Sequence, residues 1–272
     1  MKNFVVYFLV IAIALLLQSC VLHKAYVPSG YEPVVVSDKN DKQFALTLRP
    51  LDYLNVDYTH AITNHIALRG TIGGTYQLYN GMASLIYFNK IKTLNYFIAP
   101  LINYQNNQMI RRTYGFSGFT YQYVANYNCV FMGTGLTIGV SIPGRVQHHF
   151  MIKSQYNFVD RYNFQFYQDN ASGSSYGFRV LDDEKLNKDI PSFLSIEPTY
   201  AILFKAGSKK FFKLQAGLNI CEKTYAHNYS YYWDSWGTQN TDRVKRHPTN
   251  WPINLSVGFI FSSKKEIKMT EQ

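Results

Sequence analysis

The chain has 272 residues, with 27 Lys and Arg against 17 Asp and Glu, a formal net charge of +10 and an isoelectric point near 9.3. Only 16% of residues are charged, whereas 23 Tyr, 19 Phe and 17 Gly suit a sheet with aromatic surfaces far better than helices. The basic residues are scattered rather than stacked along a helix, which argues against nucleic acid as a partner and leaves lipid phosphates or acidic protein surfaces.

The first twenty residues, MKNFVVYFLVIAIALLLQSC, carry Lys2 as their single charge and an apolar run from Phe4 to Leu17. A basic tip followed by a short apolar core is the layout of an export signal, and the run ends too early for a comfortable membrane-spanning helix. Leu17-Gln18-Ser19-Cys20 resembles the bacterial lipobox, in which a peptidase cuts before an acylated cysteine. Residues 1–19 are therefore read as a signal peptide and Cys20 as the lipidated first residue of the mature chain. Two or three acyl chains, at roughly 0.8 kcal/mol per buried CH2, make a stable anchor. Residues 20–42, rich in Pro, Gly and charge, read as lipid anchor and periplasmic tether, with PVVV as a short edge strand.

From residue 43 the dominant period is two. In FLSIEPTYAILF, Leu194, Ile196, Pro198, Tyr200, Ile202 and Phe204 share a face opposite Ser195, Glu197, Thr199 and Ala201. The same split runs through HIALRGTIGG, CVFMGTGLTIGV, HFMIKSQYNF, FKLQAGLNIC and NLSVGFIF. A soluble sandwich also alternates. Here, however, the polar face carries glycine, amide, hydroxyl and isolated charge rather than many Lys and Glu, as the interior of a transmembrane barrel does. The fold expected is an all-β, closed antiparallel transmembrane β-barrel over 43–261, of an even number of strands between ten and twelve. Residues 262–272 form a charged tail.

Twelve segments are expected as strands: 43–50, 53–61, 65–77, 82–90, 93–105, 111–123, 127–141, 147–158, 161–168, 191–204, 211–222 and 252–261. AGSKK, VDRY, VANY, NKIK and AITNH then read as short periplasmic turns, and 169–190 and 223–251 as long external loops. On that map Cys129 and Cys221 fall at opposite rims and stay reduced. Arg69, Lys153, Glu197 and Lys213 lie on the polar face as lumen charges, with Glu197 braced by one of the three cations.

Nothing in the chain has the spacing of a metal, cofactor or catalytic motif. His148 and His149, adjacent in a strand, point to opposite faces. Glu222, His227, Asp234, Asp242, Arg243 and His247 of the 223–251 segment lack an accompanying nucleophile or phosphate loop. In the same segment Tyr225, Tyr229, Tyr231, Tyr232, Trp233 and Trp236 are dense enough to read as a partner-contact surface.

The segment DYLNVDYTHAITNHIALRGTIGG, with FLSIEPTYAI, KFFKLQAGLN and the final INLSVGFIF, resembles small outer-membrane β-barrel lipoproteins of Bacteroidota. Asn254, Ser256, Phe259 and Phe261 also resemble the terminal-strand signal read by the barrel-assembly machinery, although the chain continues beyond it. The resemblance implies a location in the outer membrane. Cys20 is followed by VLHKAY rather than by acidic residues, which implies that the anchored N-terminus faces the periplasm. With lipid and barrel as redundant anchors, the chain reads as a non-catalytic barrel serving as accessory or scaffold subunit of a larger envelope complex, which the resemblance implies is one for barrel assembly, secretion or uptake. Outer-membrane lipids and other outer-membrane proteins would be its partners, and no cofactor is called for. The alternatives are a pore or transporter and, behind it, an enzyme with a site at the external rim.

Overall fold

A computed structural model describes residues 30–49, 53–74, 78–108, 110–114, 121–170, 179–182, 192–207, 209–221, 227–235, 238–246 and 253–263. In chain order the strands are β1 (Lys42–Arg49), β2 (Tyr53–Ala61), β3 (Ile66–Gly74), β4 (Leu78–Ile91), β5 (Leu94–Asn107), β6 (Ile110–Tyr114), β7 (Tyr121–Ile142) and β8 (Val146–Asn170). They are followed by β9 (Arg179–Asp182), β10 (Phe193–Lys205), β11 (Lys210–Leu218), β12 (Ile220–Cys221), β13 (His227–Ser235), β14 (Thr238–Arg246) and β15 (Ile253–Ser262). Neighbours pair antiparallel in the order β1-β2-β3-β4-β5-β7-β8-β10-β11-β15. Strand β15 pairs back onto β1, with Leu46 opposite Phe259, and the ring of ten closes.

Closure follows from what each face of the sheet carries. Outward residues are apolar and bare: Ile72 is 76% exposed and Ile102 65%, and Leu68, Ile138 and Ile152 stand between them around the wall. So wide an apolar band is unfavourable in water and favourable in hydrocarbon, while a closed ring leaves no main-chain edge unpaired. Aromatic rings flank the band, with Phe204, Phe212 and Phe259 in successive contact near one end. Tyr79, Tyr104, Tyr156 and Phe158 lie outward near the other. This is the anatomy of a transmembrane barrel. Leu214, Ile196 and Val257 belong to the outward face and are not sandwiched between two sheets.

One rim holds the short connections 62–65, 92–93, 143–145 and 206–209, together with the start of β1 and the end of β15. The opposite rim carries the three-residue connections 50–52 and 75–77 and all of the long ones. There β6 extends a hairpin onto β7, β9 adds to β8, and β12 continues β11 past Asn219 to pair with β10.

Two expected turns are absent. VANY lies inside β7, which runs unbroken for 22 residues, and VDRY lies inside the 25-residue β8. Opposite VDRY the register steps from Val130–Arg161 to Phe131–Val159, so Asp160 is the extra residue of a β-bulge. The segment 111–123 therefore contributes β6 and the start of β7 instead of a wall strand, and 147–168 contributes one strand instead of two. These two corrections reduce twelve strands to ten. They also move Pro143-Gly144-Arg145 to the short-turn rim and bring Cys129 and Cys221 to the same long-connection half of the barrel. Cys129 is buried and Cys221 half-buried, and they do not lie at opposite rims.

Residues 223–251 were expected as a loop, yet β13 and β14 form a nine-rung hairpin within them, from His227–Arg246 to Ser235–Thr238. The tether expectation changes as well. Residues 30–37 add no edge strand and occupy the lumen, where Tyr31, Glu32, Val34 and Val36 are buried.

Candidate functional site

The lumen has three levels. At the short-turn end, Val34 and Val36 belong to one apolar cluster with Ala61, Ala67, Ile86, Phe88 and Ala201, while Val35 packs on Ala45, Leu203, Phe211 and Ile260. At mid-height sit buried charges: Glu32, Asp57, Arg69, Lys153, Glu197 and Lys213. Above them the wall carries amides and hydroxyls, among them Asn55, Asn80, Asn103, Gln155, Asn157 and Ser195, together with the buried apolar Leu78, Phe131 and Phe193.

The segment 30–37 runs through the lower two levels antiparallel to β1. Its direction is set by a ladder of side-chain bonds. The Val35 amide donates to Gln43 Oε1 at 2.9 Å, and Gln43 Nε2 donates to the Pro33 carbonyl at 2.7 Å. Farther along β1, Thr47 Oγ1 donates to Glu32 Oε1 at 2.9 Å. Gly30 lies at the level of Arg49. It has a φ of 59°, and a Cβ added there would stand 2.4 Å from the guanidinium, so only glycine fits without displacement.

The thread's polar groups meet inward-facing residues of the wall. Arg69 on β3 donates from Nη1 to the Glu32 carbonyl at 2.6 Å, from Nη2 to the Pro33 carbonyl at 3.2 Å and from Nε to Thr59 Oγ1 at 2.8 Å. The same guanidinium lies 4.7 Å over the Tyr31 ring. Phe97 stacks on that ring at 5.7 Å, in space left by Gly139, where a Cβ would fall 2.2 Å from the phenyl carbon. The Tyr31 hydroxyl shares a hydrogen bond with Ser84 Oγ at 3.0 Å, and Gln215 Nε2 donates to the Tyr31 carbonyl at 3.3 Å. Lys213 pairs with the Glu32 carboxylate and also donates to Thr47 Oγ1 at 2.8 Å.

A second brace joins neighbouring wall strands. Lys153 and Glu197 face each other in register across β8 and β10, with Nζ and Oε1 at 2.8 Å. Of the four lumen charges expected from sequence, these two meet, whereas Arg69 and Lys213 turn to the thread instead of to Glu197. Tyr31, Glu32, Thr47 and Asp57 were not anticipated. Asp57 could have been found on the inward face of LNVDYTHA, where Thr71 Oγ1 donates to it at 2.5 Å.

His148 and His149 do take opposite faces: His148 Nδ1 lies 2.6 Å from the Tyr200 hydroxyl, and His149 is buried in the lumen. On β13, Tyr229, Tyr231 and Trp233 register with Val244, Asp242 and Asn240, and Tyr232 with Thr241. His227 and Asp234 fall at opposite ends of that hairpin, roughly 23 Å apart along the strand, and so cannot act as one acid–base pair. Cys20, Glu222, Tyr225, Trp236, His247 and the 264–272 tail lie outside the described residues. No group of three or more His, Cys, Asp or Glu able to hold a metal occurs among the described residues.

No family model matches the chain, and no curated protein matches it. Among solved structures, the translocator domain of the autotransporter NalP from Neisseria meningitidis is similar at 10% identity and a TM-score of 0.34, covering 82% of this chain and 85% of that one. OmpT, an outer membrane protein of Vibrio cholerae, is similar at 6% identity and a TM-score of 0.18, over 82% and 96% of the two chains. Its loop L8 deletion mutant gives 6% identity and 0.20, over 82% and 97%.

Proposed function

We propose that this chain is a non-catalytic outer-membrane β-barrel lipoprotein, anchored through Cys20, that serves as an accessory or scaffold subunit of a larger envelope complex. The observation that carries the reading is the filled lumen. A conduit needs an open path, whereas here the chain's own Tyr31–Val36 occupies the barrel from the short-turn mouth to mid-height and is tied to opposite walls by Arg69 and Lys213.

Charges at mid-height serve bracing in this reading. The two ion pairs are almost fully buried, a setting in which desolvation makes ions costly unless they are paired, and Thr47 bonds both members of the Glu32–Lys213 pair as well. A wall braced in this way is a rigid post. With a lipid as well as a barrel to hold it in the membrane, the second anchor fixes a position, which is what a subunit that presents a surface to partners requires. The aromatic-rich segment 223–251 is the one assigned to that contact, and the outer-membrane lipids and neighbouring membrane proteins are the partners.

Purification from native membranes in gentle detergent, followed by identification of the retained chains, tests the proposal. A stoichiometric outer-membrane partner is the expected result, and a monomer with none would overturn it. Planar-bilayer recording provides the second check. The intact chain should be silent, and steady conductance would favour the pore.

A further inference from the structure

The two edges of the thread are not equally used. Toward β1, the Val35 amide donates to Gln43 Oε1 and the Pro33 carbonyl accepts from Gln43 Nε2. Main-chain groups alternate from side to side along an extended segment, so Val34 and Val36 turn theirs away from β1 and into the lumen. Among the described residues the amides and carbonyls of these two valines have no hydrogen-bond partner, although Val34 is only 8% exposed and Val36 6%. Buried main-chain groups in that state are costly, and a row of them is a template for another strand.

Space for one lies beside them. A cavity of about 610 Å3 opens at the short-turn mouth between Val34–Ser37 and the end of β7, which stands diametrically opposite β1 in the ring of ten. Asn95, Ser141 and Gln147 line its far wall, Phe88 and Phe211 give it apolar surface, and Phe97, stacked on Tyr31, marks its inner end. The volume falls within the roughly 300–1,000 Å3 of ligand pockets. A hydrocarbon chain would cover the apolar surface and leave the valine amides and carbonyls unpaired. A ligand with donors and acceptors at strand spacing satisfies both.

The mouth is also strongly basic. Its turns and the strand ends beside them carry Lys90, Lys92, Arg145, Lys205, Lys209 and Lys210, while Asp38 and Asp41 are offset by Lys39 and Lys42. Lys90 and Lys205 belong to the cavity lining itself, and the carboxylate in that lining, Asp38, already accepts from Ser37 Oγ. The charge such a mouth favours is negative.

We propose that the short-turn mouth is a peptide-docking site: an extended segment of a partner protein, ending in a carboxylate, enters the cavity, adds as a strand to Val34 and Val36, and sets the carboxylate beside Lys90 and Lys205. Two residues of the incoming segment, separated by one, supply the facing amides and carbonyls, so three residues suffice for recognition. This contact is a second one, at the rim opposite to the one from which 223–251 is strung. That the peptide comes from the periplasm rests on the outer-membrane reading above, with short turns periplasmic. The binding itself does not.

The test uses the full chain folded in detergent and an equimolar pool of pentapeptides, randomised over Ala, Ser, Thr and Val at four positions and ending either in Glu with a free carboxylate or in an amidated Lys. The barrel should retain the Glu-ended members at least about tenfold over the Lys-ended ones. N-methylation of alternate amides in the strongest binder should weaken it by about tenfold or more, the factor that two lost neutral hydrogen bonds supply. Asn95→Trp, which fills the cavity from its far wall, should abolish retention, and Lys90→Glu, at an exposed position, should reduce the preference for Glu-ended members. Failure to retain any peptide overturns the proposal, as does undiminished retention by an Asn95→Trp variant that keeps the heat-sensitive gel mobility of a folded barrel. Equal binding of the N-methylated peptide overturns it in favour of a purely apolar site for lipid chains, and an unchanged preference in Lys90→Glu removes the carboxylate from the mouth. Retention of an outer-membrane partner in the native purification is read separately, so either result can fail while the other stands.

Discussion

Glu32 and Lys213, 181 residues apart in sequence, form an ion pair at the centre of the barrel with both side chains almost completely shielded from solvent. The pair joins the thread to β11, and Thr47 on β1 bonds both partners. Those strands flank β15 on either side, so the pair also spans the seam at which the ring closes.

Breaking that pair from one side should be severe. In Glu32→Ala, the Lys213 ammonium stays buried with its carboxylate gone, a change that costs about 3–5 kcal/mol in comparable buried pairs. Replacing both partners, Glu32→Gln with Lys213→Met, removes the stranded charge and should recover most of the loss. Urea unfolding in detergent, followed by the heat-sensitive gel mobility of folded barrels, measures both variants. Equal destabilisation of the single and double variants would show that the pair does not carry the stability assigned to it.

Deleting residues 21–37 while keeping Cys20 should convert a silent barrel into a conducting one. Without Glu32, the mid-height lumen keeps Arg49, Arg69, Lys153 and Lys213 against Asp57 and Glu197, a cationic surplus that favours anions. Single-channel recording under a salt gradient gives the sign of the reversal potential. A cation preference, or continued silence from a folded deletion variant, would contradict this account of the lumen.

Gly139→Val tests the stack beneath the thread. The added side chain enters the space of the Phe97 ring, which must leave Tyr31, and overpacking of this kind typically costs about 1–3 kcal/mol. Adding Phe97→Ala to Gly139→Val restores the volume without the stack, so part of the loss should return. Thermal unfolding in detergent distinguishes the two.

The wall was legible in the sequence because each of its strands carries its own signal. In NLSVGFIF the inward Asn254, Ser256 and Gly258 alternate with outward Leu255, Val257 and Phe259, and β15 lies where the alternation puts it. What periodicity cannot mark is where a strand stops. Asp160 and Arg161 look like a turn between apolar runs, yet one extra residue in a long antiparallel pair is absorbed as a bulge when both flanks remain paired with β7. The thread was illegible for another reason. Tyr31-Glu32-Pro33-Val34 has no alternation of its own, and besides Gln43 and Thr47 its place depends on Arg69, Phe97 and Lys213, which no local pattern connects to it.

Placement in hydrocarbon makes a prediction opposite in sign to that of a soluble fold. Ile152 is 54% exposed and faces outward at mid-height, between Ile138 and Pro198, while Val146 is 38% exposed at the short-turn rim. On a water-facing sheet either residue could become Arg at a cost within about 0.5 kcal/mol, and the more exposed position would be the more tolerant. In a bilayer the order reverses. An Arg at the midplane of a barrel's outer face costs about 2–4 kcal/mol, falling to about 0–1 kcal/mol near the interface. Ile152→Arg should therefore reduce the folded fraction in lipid vesicles sharply and Val146→Arg only slightly. Indifference at Ile152, in a variant that stays folded without detergent, would remove the hydrocarbon from around the barrel and the membrane role with it.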